Sequence, residues 1–185
     1  FSLANIPLAL GQPSPQLDLA VRLYRLAISN YGADPARVSF TGHSLGGGLA
    51  SLMGVFFNKP TRVFDPAPFG LSSISVAVLE SVSATLQALG VTDSDFESCI
   101  IRNTSDPGNG PEPTLRLGPN TTVISQRKQA VTGTYLKGEF LEYVRLIAST
   151  AVGSLPPTPS GSTSLGMLDL HSMTLLGAFL SSPSF

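Results

Sequence analysis

The stretch RVSFTGHSLGGGLASLMG, residues 37–54, constrains what this chain can fold into more than any other. RVSFT has the β-branched and aromatic content of a strand, and LGGGLASLMGVFF is an apolar run of helical length. Between them, Gly42 and Gly46 box Ser44. A strand that becomes a helix over so few residues needs neighbours without side chains, or the two elements collide. Gly47 and Gly48 extend the small surface into the first helical turn, at nearly ~1 kcal/mol of helix propensity each. Such a sacrifice predicts a helix packed closely on a sheet.

The rest of the chain repeats this alternation. SPQLDLAVRLYRLAISNYG predicts a helix with Ser14 as N-cap, Pro15 in the first turn and Gly32 as terminator. Asp18, Arg22, Arg25 and Ser29 form one narrow polar stripe, so most of this helix is expected to be covered. DPA makes a turn, TRVFD a second strand, and SSISVAVLESVSATLQALG a helix with Glu80, Ser83 and Gln87 on its wet side and Gly90 at its end. Asp93 and Asp95 read as caps of a helix start. SCIIRN reads as a third strand with Cys99 buried in it, and TTVIS as a fourth. KGEFLEYVRLIAST is a further amphipathic helix, GSLPPTPSGSTSLG a loop, and HSMTLLGAFL a closing helix. Strands alternating with helices predict one α/β domain over residues 1–185, a mostly parallel sheet flanked by helices. Ligands of such sheets meet the loops at the carboxyl ends of the strands.

Composition narrows the functions open to that fold. The 185 residues are 42% hydrophobic and 12% charged with a net charge of −1, so the chain is globular rather than disordered. Its densest basic pair is Arg127-Lys128, which is no footprint for nucleic acid. One cysteine excludes an intrachain disulfide framework. The longest nearly apolar run, GGGLASLMGVFF, falls short of the roughly 20 residues of a membrane span. Phe1 stands first without a leader, so the start reads as processed or cut, which leaves a secreted setting favoured over a cytoplasmic one. Asn103 and Asn120 fit the N-glycosylation pattern, at a frequency near chance in a chain so rich in Ser and Thr.

Gly42-His43-Ser44-Leu45-Gly46 fits G-x-S-x-G, the motif that lifts a serine hydroxyl above a sheet edge at a strained strand-to-helix turn. Two other glycine-loop readings fail. A P-loop needs a lysine directly after its last glycine, and the first lysine is Lys59; a dinucleotide fingerprint would need glycine where Ser51 stands. A helix start at this point aims backbone N–H groups, with that of Leu45 first, at an oxyanion formed on the serine.

A serine hydroxyl needs a base, and imidazole serves near neutral pH. Of the two histidines, His43 adjoins the serine and is expected to pack beneath the turn, which leaves His171 as the base. The carboxylate that orients the imidazole comes between serine and histidine in such chains. Asp106, just past the strand CIIRN, is the first choice; Asp65, which ends the strand TRVFD, is its rival. Asp169 reads as a cap for the last helix. Leu45, Phe69 and Leu71 are candidate apolar neighbours of an acyl chain, with core packing as the ordinary role of each.

These residues together resemble the class 3 lipases, the fungal-lipase-like branch of the α/β hydrolases. VSFTGHSLGGGLASL is similar to that family's strand, serine turn and helix; CIIRNTSDPGNGP to the segment bearing its acid; and MLDLHSMTLLG to the segment bearing its histidine. The resemblance runs from about Pro15 to the C-terminus, so the chain is read as the C-terminal two-thirds of the family fold. It implies hydrolysis of carboxylic esters, acylglycerols or phospholipid acyl esters above all, by Ser44, His171 and Asp106 with the Leu45 N–H in the oxyanion hole. It also implies no metal or organic cofactor, a lipid or small ester as substrate, and transient contact with a lipid interface. A second oxyanion donor and a lid would belong to the family's upstream strands. Other readings stay open: a non-catalytic module of the same fold, a phospholipase A1, or an acyltransferase.

Overall fold

The computed structural model describes residues 5–30, 32, 34–104 and 115–134. Its frame is a parallel sheet of β1 (Phe40–His43), β2 (Thr61–Phe64) and β5 (Val131–Thr134), in the order β1-β2-β5. Phe40 stands opposite Thr61 and Thr61 opposite Val131, while His43, Phe64 and Thr134 line up at the other end. All three strands therefore finish at one edge. With helices flanking this sheet, the expected α/β architecture is the one observed.

Helix α1 (Asn5–Ala9) is short. Helix α2 spans Pro15–Asn30; Pro15 supplies a pre-set φ, the Ser14 carbonyl accepts from the Leu17 and Asp18 amides, and Gly32 at φ +61° follows its end. Leu17, Val21 and Tyr24, spaced i, i+4, i+7, are the face it buries. The helix is less covered than the expectation for most of it, because Leu19, Leu23 and Leu26 are 40–56% exposed. A narrow polar stripe says where charge is tolerated; it does not say how much of the remaining surface neighbours can reach.

Helix α3 (Ser44–Phe57) is the central element, buried from Gly47 onward apart from half-buried Leu49. Its Phe56 and Phe57 pack with Phe96, and Phe57 with Tyr24, whose ring also meets Phe40 edge-on at 5.4 Å. That aromatic chain joins α2, β1 and α3 to α5 (Ser94–Ser98) and forms the centre of the core. Helix α4 (Val76–Ala88) starts at a Ser75 cap, after a 3-10 turn over Ser72–Ile74, and stops before Gly90 at φ +66°. Glu80 and Gln87 lie in solvent as expected, but Ser83 is buried.

Several boundaries differ from the sequence reading. The first strand begins at Phe40, because Pro35–Arg37 is wound into a 3-10 turn on the Asp34 side chain, which accepts from the Ala36 amide. Strand β3 (Ile100–Thr104) lies outside the parallel sheet; it pairs antiparallel with β4 (Leu115–Pro119), Ile100 opposite Pro119. TTVIS is the start of helix α6 (Thr121–Gln129), not a strand. Asn120 decides this: its side chain accepts from the Val123 amide and donates to the Ser98 carbonyl, and that cap outweighs the β preference of Thr and Val. The same contacts give the second glycosylation-pattern asparagine a structural task. Strands β4 (LRLGP) and β5 (VTGT) escaped the sequence reading, since both are short and carry glycine.

Arg127 fastens α6 to the core. Its guanidinium donates to the Val55, Phe56 and Asp95 carbonyls, to Ser98 Oγ and to Cys99 Sγ, closing the end of α3. Cys99 is fully buried as anticipated, and burial pushes its thiol above the ordinary range against the opposing pull of Arg127. Among the described residues no helix is long and apolar enough to cross a membrane. The helix expected at KGEFLEYVRLIAST, the loop after it and the closing helix lie outside the described residues.

Candidate active site

The aligned carboxyl ends of β1 and β2 define where chemistry can be placed. β1 ends at His43 in extended geometry, φ −121° and ψ 146°, and Ser44 opens α3 at φ +57°. Positive φ in a residue with a side chain costs on the order of 1–3 kcal/mol, and the surroundings must enforce it. They do so by contact. A Cβ on Gly42 would collide with the Gly46 carbonyl and the Gly47 amide, so only glycine permits the reversal.

The two glycines of the motif are not equivalent. Gly46 has open space where a Cβ would stand, which corrects the expectation that both flanks must be bare. The packing demand falls instead on the next two glycines. A Cβ on Gly47 would come within 3.0 Å of Pro66, and one on Gly48 would overlap the Leu8 side chain and approach the Ala67 carbonyl oxygen to 2.9 Å. The close approach expected of the Gly-Gly run is thus made to the loop leaving β2 and to α1.

That loop is bonded to the serine itself. The Ala67 N–H donates to the Ser44 carbonyl at 2.9 Å. One residue past the register pair His43↔Phe64, Ser44 and Asp65 leave adjacent strands together. Asp65 is fully buried, holds φ +39°, and donates its amide to the Thr134 carbonyl at 2.8 Å. Two residues with side chains therefore adopt strained backbone side by side at the sheet's carboxyl edge. His43 is half-buried at the end of β1.

The opening of α3 presents N–H groups without intrahelical acceptors, and half-buried Leu45 lies in that first turn. Phe69 and Leu45 pack against the core, in keeping with the ordinary role considered for them. Leu71 does not; it is 49% exposed. Asp106 and His171 lie outside the described residues, as does Asp169. The strand that leads toward Asp106, β3, belongs to the separate two-stranded sheet and not to the sheet that carries Ser44. Of the two candidate acids, Asp65 is the one within the described residues, in VFDPAPFG at the end of β2 and followed at once by proline.

A serine held at positive φ between a parallel strand and a glycine-rich helix is an α/β-hydrolase-like arrangement. Residues 2–91 match the model of a phospholipase-like family, the Tle-like phospholipase domain, over 90 of the 185 residues. That similarity supports a lipase-like hydrolase family acting on lipid esters. The matched span holds Ser44, Leu45 and Asp65 and ends before Asp106 and His171. No curated protein and no solved structure matches the chain.

Proposed function

We propose that this chain is a serine carboxylic-ester hydrolase of lipid substrates, with Ser44 as nucleophile. The observation that carries the reading is the backbone of Ser44, at φ +57° between β1 and α3, over a Gly42 that no other residue could replace. Such strain persists where a hydroxyl must be presented rather than packed. In the reaction, His171 takes the Ser44 proton and Oγ attacks the ester carbonyl. The Leu45 N–H holds the oxyanion, the alcohol leaves with the proton from His171, and water activated by His171 releases the fatty acid from the acyl-enzyme.

The acid is Asp106 in the sequence reading. The position of Asp65 favours it as a second choice: buried, strained, and on the strand adjacent to the serine's strand. As substrate, similarity to a phospholipase domain favours the acyl esters of phospholipids over those of triacylglycerols. Membership of the class 3 branch, with its acylglycerol substrates, rests on the resemblance of the serine-, acid- and histidine-bearing segments. Phospholipase A1 regiochemistry and acyl transfer to another alcohol use the same acyl-enzyme.

A fluorophosphonate probe and p-nitrophenyl esters of graded chain length test the proposal. Wild type should label and turn over, and Ser44→Ala should lose both, the rate by up to ~10⁶-fold. A wild-type chain that neither labels nor turns over overturns the enzymatic reading and leaves a non-catalytic module of this fold. Asp65→Asn and Asp106→Asn assign the acid according to which one abolishes turnover.

A further inference from the structure

Helix α2 and the end of α4 form a cleft of about 450 Å³, a size shared by small-molecule sites. Its walls are mostly apolar: Leu23, Leu26 and Leu89, which are 56%, 40% and 37% exposed, and half-buried Val91. The charged groups in its lining are Arg22 and Arg25, neighbours on one stripe of α2, and no carboxylate lines it.

The two cations are not equivalent. Arg25 donates from Nη1 to Asp93 at 2.9 Å, which balances its charge, and its guanidinium lies against the Tyr24 ring. Its buried Nε makes no hydrogen bond. Arg22 is exposed and has no carboxylate partner among the described residues. Asp18, one turn earlier on the same stripe, accepts instead from Ser81 Oγ. The cleft therefore combines one unbalanced positive charge with an apolar lining.

It also lies apart from Ser44. Tyr24 meets Phe40, the first residue of β1. Asp93 caps α5, whose Phe96 packs on Phe57, the last residue of α3. These contacts put the cleft at the amino end of the sheet, whereas Ser44 opens α3 at the carboxyl end.

We propose that this cleft binds a single-chain amphiphile with a carboxylate head, of the free fatty acid class, the head on Arg22 and the chain along Leu23, Leu26 and Leu89. A guanidinium takes a carboxylate through two parallel hydrogen bonds, and the chain withdraws the leucines from water. One negative charge balances Arg22; a phosphate monoester carries more, and the surplus would stand near Asp93. The site does not rest on the reading of Ser44 as a nucleophile.

Isothermal titration calorimetry of the full chain with decanoate, below its micelle concentration, tests this. Decanoate should bind, and more weakly as salt rises. Decanol and decyl phosphate should each bind about fivefold or more weakly than decanoate. Arg22→Gln should lower the decanoate affinity by about five- to tenfold, and Arg22→Lys by less. Leu26→Gln should lower it as well, and all three variants should melt with wild type, which excludes misfolding. Ser44→Ala should bind decanoate as wild type does, so the result stands whatever the catalytic assay gives. No heat of binding with decanoate, an affinity that Arg22→Gln leaves unchanged, or decanol or decyl phosphate bound as tightly as decanoate overturns the proposal. So does a dimer in sedimentation that Arg22→Gln/Leu23→Gln dissociates, since a second copy would then fill the cleft.

Discussion

The amide of Ala67 donates to the carbonyl of Ser44 at 2.9 Å, and this single bond locks the loop leaving β2 onto the turn where α3 begins. Both ends of the bond belong to sterically tight surroundings: Pro66 against Gly47, Ala67 against Gly48. The serine's strained backbone is thus held from two sides, by its own strand and by the neighbouring one.

Substitutions at the paired glycines should separate sharply. Gly42→Ala drives a methyl into the Gly46 carbonyl and should destabilise by about 1–3 kcal/mol, with loss of fluorophosphonate labelling. Gly46→Ala enters open space in a helix and should be neutral or stabilising by up to ~1 kcal/mol. Urea denaturation of the two variants, followed by labelling, checks this. Equal cost at both positions would contradict the asymmetry.

Arg127 should prove a structural residue. Arg127→Met leaves the Val55 and Phe56 carbonyls at the end of α3 without its guanidinium and should cost about 2–4 kcal/mol. Arg127→Lys should recover only a minor part, since a point-like ammonium cannot reach carbonyls, Ser98 Oγ and Cys99 Sγ together. Denaturation midpoints measure the order wild type, Lys, Met.

The buried thiol makes stability fall in alkali. Burial raises the Cys99 pKa above its ordinary 9.0, so the folded state prefers the protonated form. Its contribution is complete below the unfolded-state pKa and is lost as pH rises from there through the folded value. Thermal melts of wild type should drop above about pH 9 more steeply than those of Cys99→Ala. Tyr24, raised by burial and by Asp93, gives both proteins the same background from its own ordinary value of 10.0.

Asp93 combines two tasks that substitution can divide. It caps α5 by accepting from the Asp95 and Phe96 amides, and it pairs with Arg25 at 2.9 Å across to α2. Asp93→Ala should cost about 1–2 kcal/mol, mostly through the cap, while Asp93→Asn keeps the cap and should cost less than ~1 kcal/mol. Chemical denaturation distinguishes them; equal losses would place the weight on the ion pair.

Local chemistry was legible without the fold wherever one residue decides one event. Pro15 and Gly32 bound α2, Gly90 follows the end of α4, Asp93 caps α5, and Gly42 announces the turn at Ser44, because each acts through its own backbone or through neighbours three or four residues away. The parallel α/β arrangement followed from the alternation of such elements. What tertiary structure decided was partnership. Nothing in CIIRN says that β3 pairs antiparallel with LRLGP rather than joining β1 and β2, and nothing in TTVIS says that Asn120 will reach back to Ser98 and start a helix. VTGT becomes a strand only because β2 offers it a free edge. Exposure divided likewise: the sequence of α2 marks its polar stripe, yet only packing decides that Val21 is sealed while Leu23 faces water. The same reason governs the site. The strand, glycine and serine of its turn are adjacent in the chain and readable there, whereas the nearness of Asp65 to Ser44 is a product of strand register, which forms only when distant segments pair.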